Sequence, residues 1–262
     1  MKPLYIESTP AAAVRLDGRA LHICRADRAP VVIGLRNVSQ IIAAGRTRFT
    51  SAALESCMRS GVSIVFLDSV GQVEGFLHGL KSRHGHLPSR LEELFDQPDG
   101  LRIYQTWWKA MESRRRCTLT RRLRIEPDRH RARALKSMLQ RARLQRAPQA
   151  LVQSLQMRWN AGVRAVAQQL AQENGLNATW QRRLWPRCDI VTDLAELLNW
   201  ELLLPALTEL SRLDRATRRN IPEPILRARI LAGFETHRPT LLHCGTEILH
   251  RLDLRLLELG LV

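Results

Sequence analysis

The sequence predicts an α+β protein, with a small β-rich N-terminal domain followed by a larger all-helical domain. Two observations carry this. Residues 1–78 divide into short runs of β-branched and apolar residues separated by turn formers. From Leu101 onward those runs vanish and apolar residues recur at spacings of three and four, as at Leu194, Leu197, Leu198 and Leu202. A chain of 262 residues that is 45% hydrophobic has enough apolar surface to bury a core.

Taken in order, strands are expected over residues 4–6, 14–16, 20–24, 31–35 and 39–43. Asp17-Gly18 lies between the second and third of these, and that dipeptide favours a tight hairpin because glycine adopts positive φ freely. Residues 51–60 read as one short helix, with Thr50 as its cap and Gly61 at its end. The apolar run 62–67 reads as a strand, followed by a last hairpin through Gly71. Residues 81–100 contain Gly85, Pro88, Pro98 and Gly100 and few apolar residues outside 91–95. They are expected to link a domain over 1–80 to a helical domain over 101–262.

Five cysteines lie far apart with no C-x-x-C pair, so neither a disulfide framework nor a zinc ribbon is expected, and the cytoplasm is the default compartment. No apolar run approaches ~20 residues, and Glu7 follows the first residues too closely for a signal peptide, so no membrane role is expected.

Charge points to the partner. The chain carries 41 Lys+Arg against 25 Asp+Glu, a formal +16, and 37 of the basic residues are arginine. Between residues 112 and 146 thirteen basic residues face three acidic ones, too lopsided for a face of mutual salt bridges. Arg114, Arg115, Arg116, Arg121, Arg122, Arg129, Arg131 and Arg133 recur there at helical spacings and read as a phosphate-tracking surface for DNA. Arginine suits that role because its planar fork holds a phosphate through two hydrogen bonds. Arg182 and Arg183 are further candidate DNA-binding residues, and Trp180 and Trp185 beside them are candidates for stacking on splayed bases; core packing is the reading for most of the tryptophans.

Three N-terminal segments carry a resemblance: V-R-L-D-G-R-A-L at 14–21, N-V-S-Q-I-I-A-A-G at 37–45, and T-S-A-A-L-E-S-C-M-R-S-G-V-S-I-V-F-L-D at 50–68. They resemble the N-terminal domain of the CRISPR-associated integrase that inserts new spacers. A further segment, T-D-L-A-E-L-L-N-W at 192–200, is similar to the acidic helix of that family's helical domain. The resemblance implies a homodimer formed through the N-terminal domain, a small ferredoxin-like adaptation subunit as partner, and DNA lying across basic faces. It also implies Mg²⁺ or Mn²⁺, held by a glutamate, a histidine and an acidic residue, supporting attack of a DNA 3′ hydroxyl on a phosphodiester.

Phosphodiester chemistry with such a cation needs hard oxygen ligands around an open coordination position. Asp193 and Glu196 stand three residues apart on a predicted helix and share one side of it. They also read as first-turn acids stabilised by the helix dipole. Glu126, in R-I-E, matches the family segment that supplies the catalytic glutamate, although Pro127 stands where that family has glycine. Glu126, Asp193 and Glu196 are thus the candidate catalytic and metal-binding residues. The family places its histidine shortly before the acidic helix. Residues 178–186 read A-T-W-Q-R-R-L-W-P and contain none, while Arg183 cannot shed its proton to bind a cation.

The sequence therefore predicts a DNA-binding subunit of a CRISPR adaptation complex, with weakened or lost metal-dependent integrase activity. Two other readings stay open. One is an active endonuclease or integrase using Glu126, Asp193, Glu196 and a relocated histidine among His130, His237, His243 and His250. The other is a non-CRISPR nucleic-acid-binding module on the same fold.

Overall fold

The computed structural model describes residues 2–7, 12–68, 73–77, 86–122, 149–176, 178–184, 188–217 and 221–261. The architecture is α+β, as the sequence predicts, and the chain forms two compact units, Met1–Ser82 and Arg83–Val262.

The first unit holds two four-stranded sheets. One consists of β1 (Lys2–Ile6), β5 (Val38–Ala44), β7 (Ser63–Leu67) and β8 (Val73–Leu77), in that spatial order. β5 runs parallel to both β1 and β7, whereas β8 returns antiparallel to β7. A strand flanked on both sides in a parallel arrangement is covered on both faces, and Gln40, Ile41, Ile42 and Ala43 of β5 are accordingly all buried. The other sheet has the order β4 (Arg28–Gly34), β3 (Ala20–Arg25), β2 (Ala12–Asp17), β6 (Arg48–Phe49). β2 and β3 close around Asp17-Gly18, where Gly18 has φ 56°.

The parallel step from β5 to β7 needs a crossover, and α1 (Ser51–Ser60) provides it. Thr50 Oγ1 accepts the Ala53 N–H at 3.3 Å to start this helix, and Gly61, at φ 73°, ends it. Ala53 and Cys57 of α1 join Val14, Leu21, Val38, Ile41 and Ile64 in one buried cluster.

The second unit is built from α2 (Leu87–Asp96), α3 (Gly100–Arg122), α4 (Gln149–Glu173), α5 (Ala178–Leu184), α6 (Ile190–Thr217) and α7 (Glu223–Glu258). Helices α4, α6 and α7 pack on one another most extensively. Small residues let α4 approach its neighbours: Ala161, Ala165, Ala167 and Ala171 are buried, and a Cβ on Gly162 would lie 2.5 Å from the Phe234 ring. Trp159 Nε1 donates to the Ile230 carbonyl at 2.9 Å, fixing α4 against α7. Pro205 lies inside α6 and Pro239 inside α7.

Two expectations are corrected here. The stretch read as linker contains α2, because Leu87, Leu91, Leu94 and Phe95 recur at helical spacing and are buried in the core of the helical unit. Pro88 stands in the first turn, where a missing N–H costs nothing, so it starts the helix rather than breaking it. Trp180 is no stacking platform: it is 5% exposed and its Nε1 donates to the Pro88 carbonyl at 3.2 Å. Trp185 lies outside the described residues. Among the described residues, no helix is long and apolar enough to cross a membrane.

Gly162→Ala is expected to destabilise the helical unit by about 1–3 kcal/mol, the usual cost of forcing a methyl into a filled core. A chemical denaturation midpoint at least equal to that of the unsubstituted chain would contradict this packing.

Candidate functional site

The acidic residues singled out in the sequence lie at the start of α6, and the capping of that helix explains their orientation. Asp189 stands just before the helix; its Oδ1 accepts the Thr192 N–H at 3.0 Å and its Oδ2 accepts the Thr192 hydroxyl at 2.7 Å. Ile190, Leu194, Leu197 and Leu198 are buried, and that apolar stripe sets the rotation of the helix about its axis. Asp193 and Glu196 then fall together at its edge, facing α3.

A cavity of about 200 Å³ results, walled by Tyr104, Trp108, Lys109 and Glu112 of α3 and by Asp193 and Glu196 of α6. The Tyr104 hydroxyl donates to Asp193 Oδ2 at 2.7 Å. Its ring packs against those of Phe95 and Trp108, with centroids 5.3 and 5.7 Å away.

This environment opposes charge on Asp193. Burial raises its carboxyl pKa above the ordinary value, the Tyr104 hydrogen bond works against that, and the nearby carboxylates of Asp189 and Glu196 push it further up. Burial likewise lifts the Tyr104 phenol well above its usual range and pushes the neighbouring Cys188 thiol up to about 12. Both therefore stay neutral near pH 7.

A divalent cation of the Mg²⁺ or Mn²⁺ type needs several oxygen ligands in near-octahedral array. Asp193, Glu196 and Glu112 bring three carboxylates to the walls of one cavity, but one oxygen of Asp193 is engaged by Tyr104. Among the described residues no group of three His, Cys, Asp or Glu side chains is placed to hold a metal. None of the proposed substitute histidines that are described lines this cavity: His243 stands 3.7 Å from Glu247, His237 lies beside Trp159, and His250 is exposed on α7. The described side chains by themselves do not fit the cation. Glu126, His130, Arg129, Arg131 and Arg133 lie outside the described residues.

The described arginines divide into two groups. Arg115 is bound to Glu201 of α6 with both side chains largely buried, and Arg122 stands 3.9 Å from the same carboxylate. Arg116 donates to Ser113 Oγ at 3.4 Å. Arg183 pairs with Glu92 of α2 at 3.1 Å. Arg114, Arg121 and Arg182 are exposed and form no ion pair with any described residue. Sequence reasoning missed Tyr104, Lys109 and Glu112 as walls of the acidic cavity. Tyr104 and Trp108, four residues apart, signalled only a helix face that packs inward.

Fold and site define a two-part α+β protein whose helical unit presents a carboxylate pair on one helix and clustered arginines on another. The chain belongs to the family of CRISPR associated protein Cas1, whose family model matches residues 4–169. The matched span ends before Asp193 and Glu196. A curated relative, the CRISPR-associated exonuclease Cas4/endonuclease Cas1 fusion of Geobacter sulfurreducens, is 31% identical over 130 residues, which is 48% of this chain. Those residues are 22% of the relative, so this chain spans only a small part of that protein's length. A Cas1 protein from Thermotoga maritima has a similar fold, with a TM-score of 0.74 at 12% identity and 97% of each chain covered. The TtCas1–DNA complex gives a TM-score of 0.61 at 15% identity over 95% of this chain and 90% of that one.

Because the folded pKa of Asp193 is raised, the native chain keeps a proton that the unfolded chain has released, and stability falls as pH rises above the ordinary carboxylate range. Asp193→Asn keeps an acceptor for Tyr104 and removes the charge. Its unfolding temperature is expected to exceed that of the unsubstituted chain at pH 7, by about 2–4 °C per kcal/mol recovered, with the gain vanishing below the ordinary carboxylate range. A pH-independent difference in thermal scans would rule out this account of Asp193.

Proposed function

We propose that the chain is a DNA-binding subunit of a CRISPR adaptation complex, serving spacer acquisition and integration with weakened or lost metal-dependent activity. One observation carries the second half of this reading: the acidic pair of α6 shares its cavity with Tyr104 and Lys109 and with no described histidine. The ammonium of Lys109 repels a divalent cation there, and the Tyr104 hydrogen bond takes up an oxygen that a cation would need. Family membership and the formal +16 support DNA as the partner, as does the likeness in fold to a protein solved with DNA. In this reading the helical domain holds the DNA, and the resemblance extends the assembly to a small ferredoxin-like adaptation subunit.

The test is an integration assay. Purified protein is mixed with a short duplex bearing free 3′ hydroxyls, a plasmid carrying a repeat array, and Mg²⁺ or Mn²⁺. Duplex binding with no joined product is expected. Joined product that Glu196→Ala abolishes would instead establish an active enzyme using Asp193 and Glu196, with Glu126 the next residue to replace. That second reading is favoured by the fact that Asp193 and Glu196 do face one open cavity.

The reading also includes a homodimer formed through the N-terminal domain. β4 is an edge strand, and its Val31 and Val32 are 53% and 56% exposed, an apolar edge suited to pairing. Sedimentation equilibrium is expected to give twice the chain mass, and Val31→Asp with Val32→Asp to give the monomer mass. A doubly substituted chain that remained a dimer would remove this strand from the interface.

A further inference from the structure

A second cleft, of about 650 Å³, lies between α3 and α7 and is lined by Arg114, Arg115, Arg121, Glu247 and Arg251. We propose that this groove is a binding track for a DNA phosphodiester backbone, formed by Arg114 and Arg121 of α3 together with Arg251 of α7. This rests on the reading of the chain as a DNA-binding subunit, and it assigns that role to three particular guanidinium groups, one of them on a helix remote in sequence.

The arginines of this groove differ in whether they have partners inside the protein. Arg115 also lines the groove, but it is neutralised by Glu201. Arg114, Arg121 and Arg251 are exposed and form no ion pair with any described residue. The one acid lining the groove, Glu247, stands 3.7 Å from His243 Nε2. Three cations with no ion pair among the described residues, gathered in one concave surface, repel one another, and the cleft focuses their field outward. A counter-anion relieves that repulsion. A phosphate oxygen pair fits the planar fork of each guanidinium through two parallel hydrogen bonds.

The placement favours an extended polyanion over an isolated phosphate. Arg114 and Arg121 are seven residues apart on one helix, so they share a face and their backbones are separated by about 10.5 Å along the axis. Arg251 approaches from the opposite wall of the groove. The track is also distinct from the carboxylate cavity. Glu112, on the cavity wall, and Arg114, on the groove wall, are two residues apart and so point about 200° from each other around α3. DNA held by the arginines thus lies on the side of α3 turned away from Asp193 and Glu196.

The test measures affinity for a duplex of about three helical turns by fluorescence anisotropy across a salt series, since each phosphate contact contributes about −0.9 to the slope of log affinity against log salt. Arg121→Gln with Arg251→Gln is compared with a control of the same charge change, Arg102→Gln with Arg255→Gln. The two control arginines pair with Asp99 and Glu258 at 3.1 and 2.9 Å. Unfolding temperatures of both variants verify the fold. The groove variant is expected to flatten the slope by nearly 2 units and to weaken binding at least tenfold at fixed salt, with the control close to the unsubstituted chain. Equal effects of the two variants, or no effect of the groove variant, overturn the assignment of the groove while leaving DNA binding intact. If the unsubstituted chain shows no salt-dependent affinity for the duplex, the DNA-binding reading itself fails, and the groove assignment with it.

Discussion

Helix α3 is tied to α6 by polar contacts that include the Tyr104 hydroxyl on Asp193 and the Arg115 guanidinium on Glu201. These contacts are partly buried, and removing one partner of such a pair leaves the other desolvated and uncompensated, so each resists being broken. The chemical character of the helical unit follows from this attachment. With α3 held in place, the carboxylates are gathered on one side of it and the unpaired arginines on the other. Rotating α3 by half a turn would bring arginines against the acidic pair and abolish both features.

The local structure was largely legible in the sequence. Thr50 and Gly61 marked the ends of α1 because capping and left-handed geometry are properties of single residues. Asp17-Gly18 marked its hairpin for the same reason. Periodicity found the buried stripe of α6 and so placed Asp193 beside Glu196. What lay beyond reach was pairing between distant segments. Nothing in residues 4–6 shows that β1 runs parallel to β5, and nothing in an arginine-rich run shows which guanidinium meets Glu201, 86 residues further along. The linker reading failed because prolines and glycines were weighed above the spacing of Leu87, Leu91 and Leu94, whose burial decides the matter.

The same distinction separates the two kinds of candidate residue. An arginine cluster advertises its charge whatever its neighbours, so a basic surface could be anticipated; its division into paired and unpaired members depends on acids contributed by α2 and α6. The carboxylate pair shows the reverse. Its spacing was clear, but the raised pKa of Asp193 depends on burial, on the Tyr104 hydrogen bond and on the carboxylates of Asp189 and Glu196, and Tyr104 comes from another helix. A site whose acid has its pKa raised by burial differs chemically from one with the same letters in open solvent.

Pro205 lies four residues after Glu201. Lacking an N–H, it cannot donate to the Glu201 carbonyl, so the ladder of α6 loses a rung at the residue whose side chain secures α3. The missing bond does not separate the helix from α3, because Leu203 and Leu204 before the proline and Leu207 after it all pack against the buried pair Leu119 and Trp200. The lost rung therefore falls inside the stretch of α6 that α3 already braces.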